Sequence, residues 1–334
     1  MTIRRQLSIM LVLPVATACG LIEQAANPFA ASPSQSSSAA PSPQKRGVVT
    51  VAEARKILLS WDRAEKEAMR RGGTDWSAAE SGLVAEIHRA EVQMDRLEGK
   101  KPEVPQERII KARYFIPRAG SGTPWFLVDY TRAAADYRRL QAVFAKTRAG
   151  WRVVAESVTV SKVPTPARDR DGFAVTVAPD DKSRLTISPR QLAQAHARLL
   201  ATGGDDKRAR RLIFQNLFTW YAGFRKTERE SLPSKWDLRR NMRAAPEIYA
   251  LRTTSGTALV WYGVTEEDTY IAGPGARAMT FPREGFGDQL SKGRAYREQA
   301  VYTRGSQYVA VIPKSPGQTK IRYARYAYLG VTGS

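Results

Sequence analysis

The sequence predicts an α+β fold of two similar domains, each with helices packed on a curved antiparallel sheet. Three observations carry this expectation. Apolar residues recur at helical spacing near the start of each half, and in each half the period then switches to two. The gaps between the period-two segments are short, so their strands must pair as antiparallel meanders, because parallel pairing needs a long crossover. Glycine and proline clusters at 72–73, 164–166 and 203–204 punctuate the pattern. With 334 residues, 43% of them hydrophobic, the chain is long enough to bury two cores.

The first domain is expected over 47–166. Thr50 and Glu53 have capping-box spacing, and Ala52, Ile57, Leu58 and Trp61 follow at helical intervals until Gly72 and Gly73 break the helix. Ser77 and Glu80 repeat the spacing and predict a second helix, with Leu83, Val84, Ile87 and Ala90 on its apolar face and Gly99 and Pro102 ending it. Strands are expected over 109–116, 125–130, 137–144 and 151–163, the last two joined by a tight turn at Ala149 and Gly150. A sheet with one apolar face buries it beneath those helices.

Residues 167–187 are a junction. Phe173 to Val177 is expected as one short strand. Asp169, Asp171 and Gly172 match the start of a calcium loop but lack its later ligands and closing glutamate, so they are read as a turn. The second domain, 188–334, repeats the plan. Ser188 caps a helix with Pro189 at its first position, and Gly203 and Gly204 end it. Asp205 or Asp206 then caps a longer helix whose buried stripe is Leu212, Ile213, Leu217, Trp220, Tyr221 and Phe224. Six strands follow, over 247–253, 258–264, 269–271, 296–302, 308–312 and 321–331.

The N-terminus is an export signal. Arg4 and Arg5 precede an apolar run from Leu7 to Val15, too short to span a bilayer, and small residues follow. Val15, Ala16, Thr17, Ala18 and Cys19 together resemble a bacterial lipobox, with Ala16 where leucine is commoner. The resemblance implies cleavage after Ala18 and a diacylglycerol on the sulfur of Cys19. An ordinary signal cleaved at the same bond, with Cys19 left free, is the alternative. Residues 19–46 form a tether of Ala, Ser, Pro and Gln that cannot bury enough surface to fold. As a flexible coil it spans roughly 30 Å.

Cys19 is the only cysteine, which excludes an intrachain disulfide and a cysteine metal site. The formal net charge is +21, and residues 167–334 carry 28 basic against 16 acidic residues. Such a field favours polyanions. Export makes anionic lipid or envelope polymer the expected partner and nucleic acid the least expected. The densest cluster, Lys207, Arg208, Arg210 and Arg211, is either an anionic-ligand surface or the solvated face of an amphipathic helix.

No phosphate-cradling loop, nucleophile elbow or zinc-protease motif occurs, and no cofactor is expected. The two histidines, His88 and His196, each fall on a helix. With Asp129, His88 is the first candidate if the fold holds an enzyme pocket. Trp261, Tyr262 and Tyr308 are candidates to line a cavity. Two helices, a meander and a hairpin such as 149–154 resemble the NTF2-like or cystatin-like fold. With the lipobox, Glu80 to Gly82 and Ala195 to Arg198, the chain is similar to secreted lipoproteins of actinobacteria, a family without assigned function. The resemblance implies a fold and an extracytoplasmic location, and no activity. The expected role is binding, toward an anionic polymer or another envelope protein. An enzyme with a small pocket and a structural or sensor spacer are the alternatives.

Replacing Cys19 with Ser tests the anchor. The variant is expected to leave the membrane fraction in a detergent phase partition, and retention at the wild-type level would leave only the free-cysteine alternative.

Overall fold

The computed structural model describes residues 46–120, 122–133, 139–159, 163–214, 232–283 and 285–334. The expected signal, Ala18, Cys19 and nearly all of the expected tether lie outside them, as do Leu217, Trp220, Tyr221 and Phe224. The described residues form one compact α+β unit with two four-stranded antiparallel sheets.

Helix α1 spans Val51–Arg70 and opens on the expected capping box: the Glu53 amide donates to the Thr50 hydroxyl, and the Glu53 carboxylate accepts from the Thr50 amide. Its buried face is Ala54, Leu58 and Trp61, then Asp62, Glu65 and Ala68. Helix α2 spans Leu83–Leu97, and its N-cap is Gly82 rather than Ser77. The amides of Ala79 and Glu80 both bond to the Trp76 carbonyl in a tight turn. That turn sends Glu80 inward, so the second capping box does not form.

Strands β1 (Ile109–Phe115), β2 (Trp125–Arg132), β3 (Arg139–Thr147) and β4 (Gly150–Thr159) form sheet 1 in chain order. Gly150 takes the positive φ, 107°, that the turn between β3 and β4 requires. The junction carries no regular strand. Ala174 makes isolated bridges to Pro117 and Arg168, and Thr176 makes one to Leu251. Arg118 holds the preceding turn by pairing with Asp169 (2.7 Å) and Asp171.

Helix α3, Pro189–Ala201, has its own capping box between Ser188 and Gln191. Helix α4 is corrected from the long helix expected to Lys207–Leu212. Asp206 caps it, and at Ile213 the chain turns extended and bridges Thr319. The six expected strands are four long ones: β5 (Trp236–Arg252), β6 (Ala258–Ala272), β7 (Gln299–Ile312) and β8 (Lys320–Gly333), paired in that order as sheet 2. A one-turn helix, α5 (Phe286–Ser291), precedes β7.

The strands run longer than their apolar segments because the charges between those segments pair across the sheet. Arg240 faces Asp268 and Glu266 faces Arg304 in register. Arg240 bonds Asp268 at 2.7 and 3.0 Å, and Arg304 bonds Glu266 at 2.7 Å and Asp268 at 2.8 Å, all four side chains being buried.

Each sheet buries both faces. One face of sheet 1 packs Phe126, Val128 and Phe144 against Leu58 and Trp61 of α1. One face of sheet 2 packs Val260, Tyr262 and Tyr308 against Leu192, Ala195 and Leu199 of α3. The remaining faces meet each other, with Phe115, Leu127 and Val143 of sheet 1 against Leu259, Trp261 and Val309 of sheet 2. No helix among the described residues is long and apolar enough to cross a membrane.

The first residue of α2 docks on a glycine platform. A Cβ at Gly305 would lie 2.7 Å from Leu83 Cδ1, and one at Gly263 would lie 2.6 Å from Leu83 Cδ2. Gly305→Val is therefore expected to lower unfolding stability by about 1–3 kcal/mol, the usual cost of overpacking. Urea unfolding measures it, and an unchanged midpoint would show that α2 does not bear on sheet 2 there.

Candidate functional site

Three concavities stand out, and each is built by a different part of the fold. The first is a polar cleft of about 780 Å³ lined by Glu65, His88, Arg132, Glu156, Tyr323 and Arg325 among others. Glu80, on the inward turn, does not line the cleft but reaches it through His88. Both Glu80 oxygens lie 2.6–2.7 Å from His88 Nδ1, and His88 Nε2 lies 3.5 Å from Glu156. The His88 ring rests on Trp76, centroids 4.7 Å apart. Glu156 also accepts from the Tyr130 hydroxyl at 3.2 Å. Arg325 of β8 forks onto Glu91 of α2 and reaches Glu156 at 3.5 Å, tying sheet 2 to the first half. Arg132 does the same within the first half, bonding Asp62 at 2.7 Å and Glu65.

These surroundings move several protons. Burial, reinforced by the charge of Glu156, raises Glu80 well above the usual carboxylate range. Burial pulls His88 down to about 4. Burial and the charge of Glu156 push Glu65 up to about 8 against the pull of Arg132. The imidazole faces a carboxylate at each nitrogen, an arrangement suited to moving protons. Each carboxylate in the cluster is nevertheless bonded to an internal partner, and none of the described residues lining the cleft is a serine, threonine or cysteine nucleophile.

The second concavity is a cleft of about 610 Å³ between the two sheets. Trp125 of β2, Tyr249 of β5 and Trp261 of β6 make its aromatic wall, with Trp125 and Tyr249 edge to face at 5.3 Å. Gln307 crosses its floor: the side-chain amide donates to the Val154 carbonyl at 3.1 Å, and its oxygen accepts from the Glu156 amide at 3.3 Å. The indole N–H of Trp261 is buried and makes no hydrogen bond.

The third is a groove of about 350 Å³ between α3 and β5, with Arg190, Arg198 and Arg243 around it.

The residues singled out from sequence fall in different places. Lys207, Arg208, Arg210 and Arg211 are exposed on α4 and line none of these three concavities. Asp129 is buried and committed to Arg113 (2.9 Å) and Arg139 (2.8 Å). His196 sits in the core beneath α3, 2.8 Å from the Tyr262 hydroxyl, and burial pulls it down to about 3. It is neutral and reaches no solvent. Trp261 faces the inter-sheet cleft, whereas the Tyr262 and Tyr308 rings stack on the opposite face of sheet 2 against His196. Arg132, Arg325, Glu65 and Glu156 carried no motif. Their one sequence signal was Asp62 and Glu65 continuing the apolar stripe of α1.

Fold and clefts together define an α+β protein of two facing antiparallel meanders. The chain belongs to the family described as domain of unknown function (DUF8094), whose model matches residues 45–333. No curated protein and no solved structure matches it.

The polar cleft has a signature in pH. Glu65 is held above its unfolded value of 4.5, at about 8, so the fold binds its proton more tightly and loses stability as pH rises through that window. Glu80 adds a loss of the same sign. His88, held below its unfolded value of 6.5, opposes them only up to pH 6.5. The steepest loss is thus expected between pH 6.5 and 8, about 2 kcal/mol for Glu65 alone. Urea midpoints of wild type and Glu65→Gln at those two pH values check it, and the variant should be the flatter of the two.

Proposed function

We propose that the protein is a lipid-anchored, extracytoplasmic binding module of the cell envelope, and that its ligand-contacting element is the aromatic cleft between the sheets. The observation that carries the binding reading is the buried indole N–H of Trp261 without an acceptor, in a cleft otherwise walled by Trp125 and Tyr249. A buried donor left unbonded costs about 1–3 kcal/mol, and a ligand acceptor would recover it. The volume suits a small ligand held mainly by apolar contact with a few fixed polar groups.

The anchor reading rests on Cys19 following an apolar run as the sole cysteine. Two acyl chains on one residue hold a protein firmly, whereas one holds it marginally. The reading of the halves as tandem NTF2-like or cystatin-like repeats of an actinobacterial lipoprotein is supported by their common order of helices followed by a four-stranded meander. An anionic envelope polymer or a second envelope protein is the partner the basic surface favours, and nucleic acid is not expected outside the cytoplasm.

An acid–base enzyme is the second reading, favoured by the Glu80, His88 and Glu156 relay at the polar cleft. It ranks lower because those groups already satisfy one another, and ion-pair networks that clamp a fold shift pKa values in the same way.

Neutral N-phenyl-1-naphthylamine is expected to bind the full chain and to brighten on binding. Trp125→Ala together with Tyr249→Ala should weaken it at least five-fold at a temperature where circular dichroism shows the variant still folded. Equal binding by both proteins would remove the cleft from the reading.

A further inference from the structure

The aromatic cleft and the arginine groove share a wall. Ala245, Pro246 and Ile248 line both. The shared stretch exists because β5 bulges there. Ala244 pairs with Val264 and Ile248 with Tyr262, so three residues, Ala245, Pro246 and Glu247, oppose Gly263 alone. Pro246 has no amide to offer a ladder and fits such an irregular stretch. Gly263 allows the bulge to sit close, since a Cβ there would lie 3.2 Å from Ala245 Cβ. A second junction joins the two concavities. The Arg190 amide donates to the Pro179 carbonyl at 2.8 Å, with Pro179 lining the aromatic cleft and Arg190 the groove.

The two concavities differ in chemistry. The cleft is mostly apolar. The groove presents three guanidiniums, and none of the described residues lining it is acidic. The partners of those guanidiniums stand at the surface: Asp180 for Arg190 at 2.8 Å, Asp206 for Arg198 at 3.5 Å and Asn241 for Arg243 at 3.2 Å. Exposed pairs of this kind are worth about 0–1 kcal/mol, so an anion entering the groove displaces little. Planar guanidiniums are suited to a phosphate, which they bond two oxygens at a time. The one carboxylate lining the aromatic cleft, Glu247, is on the bulge and outside the groove.

We propose that the two concavities form one site for an anionic amphiphile, a lipid phosphate whose apolar chain lies against Trp125, Tyr249 and Trp261 and whose headgroup meets Arg190, Arg198 and Arg243 across the β5 bulge. This deepens the binding reading above and rests on it. It also assigns the anion-binding role to residues other than the α4 cluster, because Lys207, Arg208, Arg210 and Arg211 do not line the aromatic cleft or the groove beside it among the described residues.

The full chain, carried in phosphatidylcholine vesicles, is titrated with hexadecyl phosphate, hexadecanol and inorganic phosphate, each read by displacement of N-phenyl-1-naphthylamine. Hexadecyl phosphate is expected to bind at least ten-fold more tightly than hexadecanol, and inorganic phosphate should displace nothing. The triple variant Arg190→Gln, Arg198→Gln, Arg243→Gln should bring hexadecyl phosphate to the level of hexadecanol and leave hexadecanol unchanged. All three arginines are at or near the surface, and the unchanged hexadecanol affinity itself reports that the variant is folded. Replacing Lys207, Arg208, Arg210 and Arg211 with Ala should preserve the ten-fold preference. If the triple variant keeps the preference, or the α4 variant loses it, the headgroup assignment is overturned while the cleft reading stands. If neither amphiphile displaces the probe from wild type, the cleft reading itself fails and the assignment goes with it. Inorganic phosphate bound as tightly as hexadecyl phosphate, detected by calorimetry, would mark the groove as an ion site with no tail and overturn the amphiphile.

Discussion

The contact on which the rest of the structure depends is the meeting of the two sheets. Leu127 and Val143 from sheet 1 and Leu259, Trp261 and Val309 from sheet 2 are each 1% exposed or less. Large apolar side chains buried to this degree are worth about 1.5–3 kcal/mol each. The shared core makes both sheets two-sided. A meander that faces water on one side reads as clean alternation, and one covered on both sides reads as a nearly continuous apolar run. β3 and β6 show this, with Gln141–Ala145 and Ala258–Val264 buried at every position. Each sheet then has one face left for a helix, and α1 and α3 take those places. α2 differs because its Leu83 seats on Gly263 and Gly305 of the opposite half, which stitches the halves together at the edge of the shared core.

Buried charge is the second organising feature, and it appears wherever apolar packing alone leaves a seam. Arg240, Glu266, Asp268 and Arg304 fill the span of sheet 2 between the α3 core and the aromatic cluster around Tyr270, Phe281 and Tyr302. Arg304 also lies over the Tyr302 ring at 4.4 Å. Arg325 fills the seam between α2, β4 and β8. Taking such ions from water costs several kcal/mol each, offset only when the partners are close and numerous. In both clusters each guanidinium reaches two carboxylates. Around the polar cleft, which Arg325 and Glu156 line, burial is the main cause that raises Glu65 and Glu80, and the charge of Glu156 adds to it.

This explains what could be read from the sequence and what could not. The capping box at Thr50, the caps at Ser188 and Asp206, the Ala149–Gly150 turn and the antiparallel order are local chemistry, and local chemistry is legible. The false box at Ser77 had the right spacing, but Glu80 was needed elsewhere, as the partner of His88 eight residues on. Six strands are expected in the second half because runs such as 239–243 and 265–268 look like solvated turns. They are strand interior because Arg240 faces Asp268 and Glu266 faces Arg304 one strand over, a pairing that only the register reveals. Of the candidate site, Trp261 was legible as an aromatic in an apolar strand. Its cleft was not, because about half of the wall comes from residues 81–155, more than a hundred residues earlier.

The bulge in β5 is where fold and site become one argument. A regular β5 would have carried Ala245 to Glu247 in the ladder and sealed the sheet edge. Pro246 prevents that, since it has no amide to donate, and Gly263 accommodates it, since it has no side chain to resist. The same irregular stretch therefore opens the inter-sheet cleft on one side and ends against α3 on the other, where Arg190 and Arg198 sit one helical face apart from the buried stripe of Leu192 and Leu199. A helix that must bury that stripe on sheet 2 must also present its polar face beside the bulge. The neighbourhood of an apolar cleft and a cationic groove is thus a consequence of how α3 packs.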